Sequence, residues 1–208
     1  MAAGKFVKAA ATLLRILGDD SALVGGMAVN AHGFVRATRD VDVMIGGALA
    51  EARRQLDAAG VKARLFKEQS LDGDFTCLKG VLGVGPDGDE PVAFDVLPPL
   101  VPLVREKLVA LDVGGLQLRV VDPETLFRLK LKAGSPRDLY DIAILAHLHP
   151  EWAELALALA AGRGARQAER MATLIRDPHV LRQVEEVRRQ DQALRAFELR
   201  ASRRRRRP

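Results

Sequence analysis

The sequence has a single cysteine, Cys77. No disulfide within the chain and no cysteine-based metal site can be built from it. Cys77 lies in an apolar alternation with Phe75 and beside Leu78, which reads as a small buried side chain rather than a nucleophile. Aromatic residues make up only 4% of the chain, so a core must come mostly from Leu, Val and Ala. No apolar run reaches the roughly 18 residues that a membrane span requires. Lys5 and Lys8 precede a short apolar stretch, but Arg15, Asp19 and Asp20 interrupt it and no small-residue cleavage pattern follows. That argues against a signal peptide and for a cytoplasmic protein with no membrane partner. An excess of one charge is also lacking once the end of the chain is set aside. The net charge of +5 resides in Arg203 to Arg207; without them 27 basic side chains face 27 acidic ones. Such a run reads as a disordered, solvated end, with a phosphate-rich partner as the other reading. No Ser-His-Asp order is recognisable, and Ser21, Ser70, Ser135 and Ser202 lack the nucleophile-elbow pattern. Gly83 to Gly88 spells G-x-G-x-x-G, but acids and a proline follow it rather than a helix, so it reads as a turn. His147 and His149 flank a helix end near Pro150 and suit a surface or capping role.

What is present centres on two short stretches. Leu23-Val24-Gly25-Gly26 is an apolar run ending in a glycine pair, and Asp40-Val41-Asp42-Val43 is an apolar run with carboxylates at alternate positions. Strand side chains alternate faces, so Asp40 and Asp42 share one face if this is a strand. Two like charges side by side are costly unless a cation lies between them. A glycine pair without Cβ atoms lets a phosphate approach the backbone closely. Asp95 sits in a third apolar run, Ala93-Phe94-Asp95-Val96-Leu97, where an unpaired carboxylate would be expensive. If that strand neighbours the one carrying Asp40 and Asp42, three carboxylates converge and suit Mg²⁺ bridged to triphosphate oxygens. The competing reading pairs each aspartate with Arg36 or Arg39.

The rest of the chain supports a small mixed sheet. An amphipathic helix is expected over 5–17 with Phe6, Ala9, Leu13 and Ile16 on one face. Strands are expected over 22–25, 41–45, 61–66, 75–84, 92–97 and 116–121, with a hairpin turn at 86–89. Asp122-Pro123-Glu124 is a strong helix start, and helices follow over 137–147, 151–161 and 168 to about 200, punctuated at Ser135-Pro136, interrupted by Gly162 to Gly164 and loosened near Asp177-Pro178. The fold class is α+β, a small mixed sheet with flanking helices and a helical C-terminal region. The divisions expected are a core over 1–121, a helical region over 122–200 packed on it, and an Arg-rich tail over 201–208. Taken alone, Lys130 and Lys132 read as a solvated helix face, and Asp138 as a first-turn acid of its helix.

The stretch from Gly25-Gly26-Met27-Ala28 through Arg36-Ala37-Thr38-Arg39-Asp40-Val41-Asp42-Val43 resembles the signature of nucleotidyltransferases in the DNA polymerase β superfamily. It is most similar to the AbiEii-type, toxin-like branch. The pattern continues with a strand bearing a third Asp, matched by Asp95. A Lys-Leu-x-Ala helix follows, matched by Lys130-Leu131-Lys132-Ala133, and then Arg/Lys-Asp-x-x-Asp, matched by Arg137-Asp138-Leu139-Tyr140-Asp141. The resemblance spans about Leu23 to Leu145. It implies a nucleotidyltransferase-like fold that moves an NMP group from an NTP to an acceptor hydroxyl with Mg²⁺. It implies that Asp40 and Asp42 hold the metal, and that Asp95 completes that site or orients the acceptor. Gly25 and Gly26 would cradle phosphate, with Arg36, Thr38 and Arg39 in reach of phosphate or base. Lys130 would neutralise the triphosphate, and Asp138 would orient that lysine or the acceptor. The acceptor stays open among tRNA, a protein side chain and a small molecule, and an antitoxin partner is implied. Gly26 stands where many active members carry Ser or Thr, leaving only backbone donors there. That glycine also fits a nucleotide-binding or interaction protein with this fold and no turnover.

Overall fold

The structure is a computed structural model that describes residues 4–70, 72–84, 90–113 and 115–205. The chain forms two compact units, Met1–Leu139 and Tyr140–Pro208. The boundary falls inside a helix, beyond the change of composition after Val121.

The first unit is built on a seven-stranded mixed sheet of order β3-β4-β5-β2-β1-β7-β6. Its elements in chain order are α1 (Lys5–Leu17), β1 (Ser21–Leu23), α2 (Gly25–Ala31), β2 (Asp40–Ile45), α3 (Leu49–Ala58) and β3 (Ala63–Glu68). Then come β4 (Phe75–Val84), β5 (Glu90–Leu97), β6 (Val109–Val113), β7 (Leu116–Val120), α4 (Pro123–Ala133) and the start of α5 (Pro136–Leu148). β2 pairs parallel to β5 and β1 parallel to β7, while the other neighbours run antiparallel.

Alternation along the central strands decides which face is core. Val41, Val43, Val92, Phe94, Val96 and Leu78 are buried on one face, beneath α1 and α3. Each such side chain contributes about 1.5–3 kcal/mol on burial. The opposite face carries Asp40, Asp42 and Asp95, which are only partly buried. α1 presents Ala9, Ala10, Leu13, Leu14 and Leu17 to the core; the expected Ala9 and Leu13 are among them, while Phe6 and Ile16 are only half-buried at the edge of the stripe. Its last turn is closed from a distance: Arg119 on β7 donates to the carbonyls of Leu14 at 2.9 Å and Gly18 at 2.7 Å. Carbonyls at a helix C-terminus have no partner inside the helix.

The glycine pair is the start of α2, not the end of a strand, because β1 stops at Leu23. The strand β6 lies where the sequence predicts none. Its turn is held by Asp112, which accepts from the Gly115 N–H at 2.9 Å and from Gln117 Nε2 at 2.8 Å. α4 begins as its sequence dictates, with Asp122 Oδ1 accepting from the N–H of Glu124 and Thr125. It ends at Gly134, whose φ of 67° is the left-handed conformation of a helix C-terminus. The hairpin turn expected at 86–89 lies outside the described residues.

The second unit contains the end of α5, α6 (Ala153–Ala161), α7 (Ala165–Ile175) and α8 (Pro178–Arg205). Pro178 separates α7 from α8, so the expected loosening near Asp177-Pro178 is a full break. α8 continues through Arg205, so Arg203 to Arg205 are helical rather than a disordered end; residues 206–208 lie outside the described residues. His147 and His149 have structural partners. His147 Nε2 donates to the Ile175 carbonyl at 2.6 Å, and the His149 ring stacks on Trp152 at 3.8 Å. Among the described residues, no helix is long and apolar enough to cross a membrane.

Candidate active site

Parallel pairing of β2 with β5 sets Asp42 opposite Asp95, with Asp40 opposite Ala93. The three expected carboxylates therefore share one sheet face. Asp42 is the most constrained of them. Its carboxylate occupies the space above Gly25, where an ideal Cβ would come within 1.8 Å of Oδ2. The Gly26 N–H donates to the same carboxylate, and the Val24 N–H donates to the Asp42 carbonyl at 3.0 Å. Burial, then the charges of Asp40 and Asp95, push the Asp42 pKa up to about 7, against the opposing pull of Lys130 and the Gly26 N–H. The ionised form of a carboxylate flanked by two like charges is one that a bound cation would favour.

Asp95 has a partner of its own. Lys79, opposite it on β4, places Nζ 2.8 Å from Asp95 Oδ2 and 2.9 Å from Glu68 Oε1. Burial works against the ammonium, but its hydrogen bonds to Asp95 and Glu68 outweigh that and raise its pKa. Among the described residues, no three His, Cys, Asp or Glu side chains are already drawn together as a metal-binding group. The fit to a divalent ion therefore rests on Asp40 and Asp42, neither of which has an ion-pair partner among the described residues. Lys79 is not among the residues that sequence reasoning singles out. Its one signal is a lysine at an alternate position of an otherwise apolar strand, after Phe75 and Cys77. Burial, then the Asp95 charge, raise the Cys77 thiol to about 11, so it stays protonated.

Lys130 is not on a solvated face. It is 4% exposed, and its Nζ donates to Asp138 Oδ1 at 2.9 Å. Asp138 is fixed in turn by Ser135, whose hydroxyl donates to Oδ2 at 2.6 Å while its oxygen accepts from the Asp138 N–H. The left-handed Gly134 makes the tight corner that lets α5 turn Asp138 back onto α4. Gly25, Asp42, Lys130 and Asp138 all line one cavity of about 220 Å³, walled by Phe75, Leu97, Leu100, Leu126 and Leu129.

The loop before β2 holds the remaining expected residues. Asn30 clamps it in both directions, accepting from the Arg36 N–H at 3.0 Å and donating to the Arg36 carbonyl at 2.9 Å. Arg137 adds a bond to the Ala37 carbonyl at 2.9 Å. Thr38 Oγ1 donates to the Asp40 carbonyl at 3.1 Å and lies 2.8 Å from where a Gly26 Cβ would be. The Thr38 hydroxyl thus stands beside the backbone position whose side-chain hydroxyl is absent. Arg36 donates to the Ala37 carbonyl at 3.2 Å. Among the described residues, Arg39 makes no ion pair with Asp40 or Asp42, so the reading in which arginines neutralise the aspartates does not hold for it. Arg36 and Thr38 line a separate apolar groove of about 650 Å³, not the cavity at Asp42.

Among solved structures, JHP933 from Helicobacter pylori matches with 14% identity over 95% of this chain and 100% of its own, at a TM-score of 0.45. An antigenic nucleotidyltransferase-like protein from Paracoccidioides brasiliensis matches with 15% identity over 87% of this chain and 92% of its own, at 0.46. ANT(2")-Ia in complex with adenylyl-2"-tobramycin matches with 16% identity over 82% of this chain and 96% of its own, at 0.39. Comparison with curated proteins finds no match. The family model described as "Nucleotidyl transferase AbiEii toxin, Type IV TA system" matches residues 10–206. With nearly its whole length matched, the chain belongs to the AbiEii nucleotidyltransferase toxin family.

Proposed function

We propose that the protein is a Mg²⁺-dependent nucleotidyltransferase that moves a nucleoside monophosphate from an NTP to an acceptor hydroxyl. The observation that carries this reading is Asp42: a carboxylate raised to about 7 beside Asp40 and Asp95, in a cavity shared with the buried Lys130. In this reading Asp40 and Asp42 hold the metal. Bound there, Mg²⁺ would supply neutralisation of the triphosphate and polarisation of the α-phosphate. Lys130 binds triphosphate oxygens, and Asp138 holds its ammonium in place. Backbone donors at Gly25 and Gly26, with Arg36, Thr38 and Arg39, serve the phosphates or the base. The acceptor oxygen bonds to the α-phosphorus as the bond from that phosphorus to the β-phosphate oxygen breaks. The electron pair leaves with pyrophosphate, and the hydroxyl proton passes to Asp95. Membership in a toxin–antitoxin family supports an antitoxin as the protein partner, and the acceptor stays open among a tRNA, a protein side chain and a small molecule.

Incubation with labelled NTPs, Mg²⁺ and total RNA or cell lysate is expected to label an acceptor, and Asp42→Ala to abolish the label. Label undiminished in that variant would sink the site assignment. The Thr38 hydroxyl, in this reading, does the work of the side-chain hydroxyl missing at residue 26. Thr38→Ala is then expected to slow transfer about a hundredfold. Adding Gly26→Ser should recover part of the loss, because the alanine vacates the space that the serine Cβ needs. A double variant no faster than Thr38→Ala would show that the two hydroxyls are not equivalent.

A further inference from the structure

Register places Arg64, Lys79, Asp95 and Asp42 in a single row across β3, β4, β5 and β2. Two cations are followed by two carboxylates. The Lys79–Asp95 pair is partly shielded, with side chains 34% and 20% exposed, so it is screened less than a surface pair. Lys79 is also anchored on its far side by Glu68, on the edge strand β3. A divalent ion bridging Asp42 and Asp95 would have to take Asp95 Oδ1, whose partner oxygen is held by this ammonium, or pull Oδ2 away from it. It would then sit close to a fixed positive charge, and like charges in a half-buried place repel strongly. Asp40 meets no such obstacle, since its hydrogen-bond neighbour is the Thr38 hydroxyl. The three carboxylates therefore share a face without being equivalent.

We infer that Lys79 is a positioning residue that keeps Asp95 out of the metal's coordination shell, so that Asp40 and Asp42 alone supply carboxylates to the cation and Asp95 is reserved for the acceptor hydroxyl. This rests on the metal–nucleotide reading above and assigns unequal work to its three aspartates. Lys79 acts through Asp95 and does not itself touch substrate. A lysine that merely neutralises a buried acid for the sake of folding would leave Asp95 free to add to the metal affinity of the wild-type protein. A lysine that competes with the metal for Asp95 would depress that affinity.

Mn²⁺ binding to the full chain without nucleotide, read from the free-ion signal in electron paramagnetic resonance, separates the two. Asp95→Asn is expected to weaken Mn²⁺ binding only slightly, by the loss of a neighbouring charge, whereas Asp40→Asn, which removes a ligand, loses far more. Lys79→Met, which releases Asp95, is expected to bind Mn²⁺ about tenfold more tightly. Adding Asp95→Asn to it should cancel that gain. Lys79→Arg, which keeps the charge, should stay near wild type. In transfer assays Lys79→Met should lower kcat with little change in the KM for NTP, because the acceptor's carboxylate has been drawn onto the metal. The inference is overturned if Asp95→Asn weakens Mn²⁺ binding as much as Asp40→Asn does, or if Lys79→Met leaves it unchanged. The Asp95→Asn arm stands even where a Lys79 variant fails to fold. A wild-type protein that binds no Mn²⁺ would instead overturn the metal–nucleotide reading, and this inference with it.

Discussion

Asp42→Asn is expected to abolish nucleotidyl transfer while making the metal-free protein more stable at pH 8. Burial and the neighbouring Asp40 and Asp95 raise the Asp42 pKa from an ordinary 3.8 to about 7 in the folded chain. The folded state therefore holds this proton more tightly than the unfolded one. Stability from this group is full below about pH 4 and is lost as the pH rises through about 7. Above that, the ionised carboxylate costs the metal-free fold on the order of 3 kcal/mol, reduced by whatever solvent reaches it. Asparagine carries no charge to bury, and its carbonyl can still accept the Gly26 N–H. Melting curves at pH 5 and pH 8, in chelator and in Mg²⁺, check this. Wild type should gain stability from Mg²⁺ at pH 8 much more than at pH 5, and the variant should gain little at either. Transfer should fall by at least about a thousandfold. A variant less stable than wild type at pH 8 in chelator would contradict the account of Asp42 as a charge awaiting a cation.

Gly25→Ala is expected to cost on the order of 3 kcal/mol of stability and most of the activity. Two effects add. Gly25 has a φ of 58°, the left-handed region in which a Cβ is strained. Its Cβ would also fall 1.8 Å from Asp42 Oδ2, a distance no contact can hold, so the carboxylate must move. Urea denaturation in two backgrounds separates the effects. In an Asp42→Gly background the methyl finds space, and the cost of Gly25→Ala should fall to the backbone part, about 1 kcal/mol. Equal costs in both backgrounds would mean that Asp42 is not what excludes a side chain at residue 25. The adjacent glycine behaves differently. The atom crowding Gly26 most is the Thr38 hydroxyl, 2.8 Å from where its Cβ would be, and Thr38→Ala removes it, so in that background Gly26→Ser is a rescue rather than a lesion.

Much of this site is legible residue by residue. Alternation puts Asp40 and Asp42 on one face, and the order of motifs points to Asp95, Lys130 and Asp138. The start of α4 at Asp122-Pro123-Glu124 follows from local capping chemistry. Where structure and sequence expectation part, the cause is shared. β6 alternates Val109, Leu111 and Val113 with Ala110 and Asp112, but it is only five residues long and none of its side chains is fully buried; it is held by pairing with β7 and by the Asp112 turn, both beyond a local pattern. In α1 the polar Lys5, Lys8, Thr12 and Arg15 mark the solvent face and so the buried stripe opposite, but contact with the sheet decides that Ala10, Leu14 and Leu17 are buried more fully than Phe6 and Ile16. Lys130 reads as solvated because a lysine in a helix usually is; its burial depends on Asp138 being carried back by the turn at Gly134.

The division between sequence and tertiary structure is therefore a division by range. Local chemistry determined which residues could bind a metal–nucleotide: a glycine pair with no Cβ, alternating aspartates, a capped helix bearing a lysine. Those properties depend on side-chain type and on the period of a strand or helix, and both are written within a few residues. Only the tertiary structure decided how the groups act on one another. Parallel pairing of β2 with β5 set Asp95 beside Asp42, and antiparallel pairing of β4 with β5 set Lys79 beside Asp95. Strand register is chosen by burial of one whole face against the core, and a slip of one residue would have turned these side chains away. The raised pKa of Asp42, the ammonium on Asp95 and the Thr38 hydroxyl beside Gly26 are consequences of that register and of the packing above it.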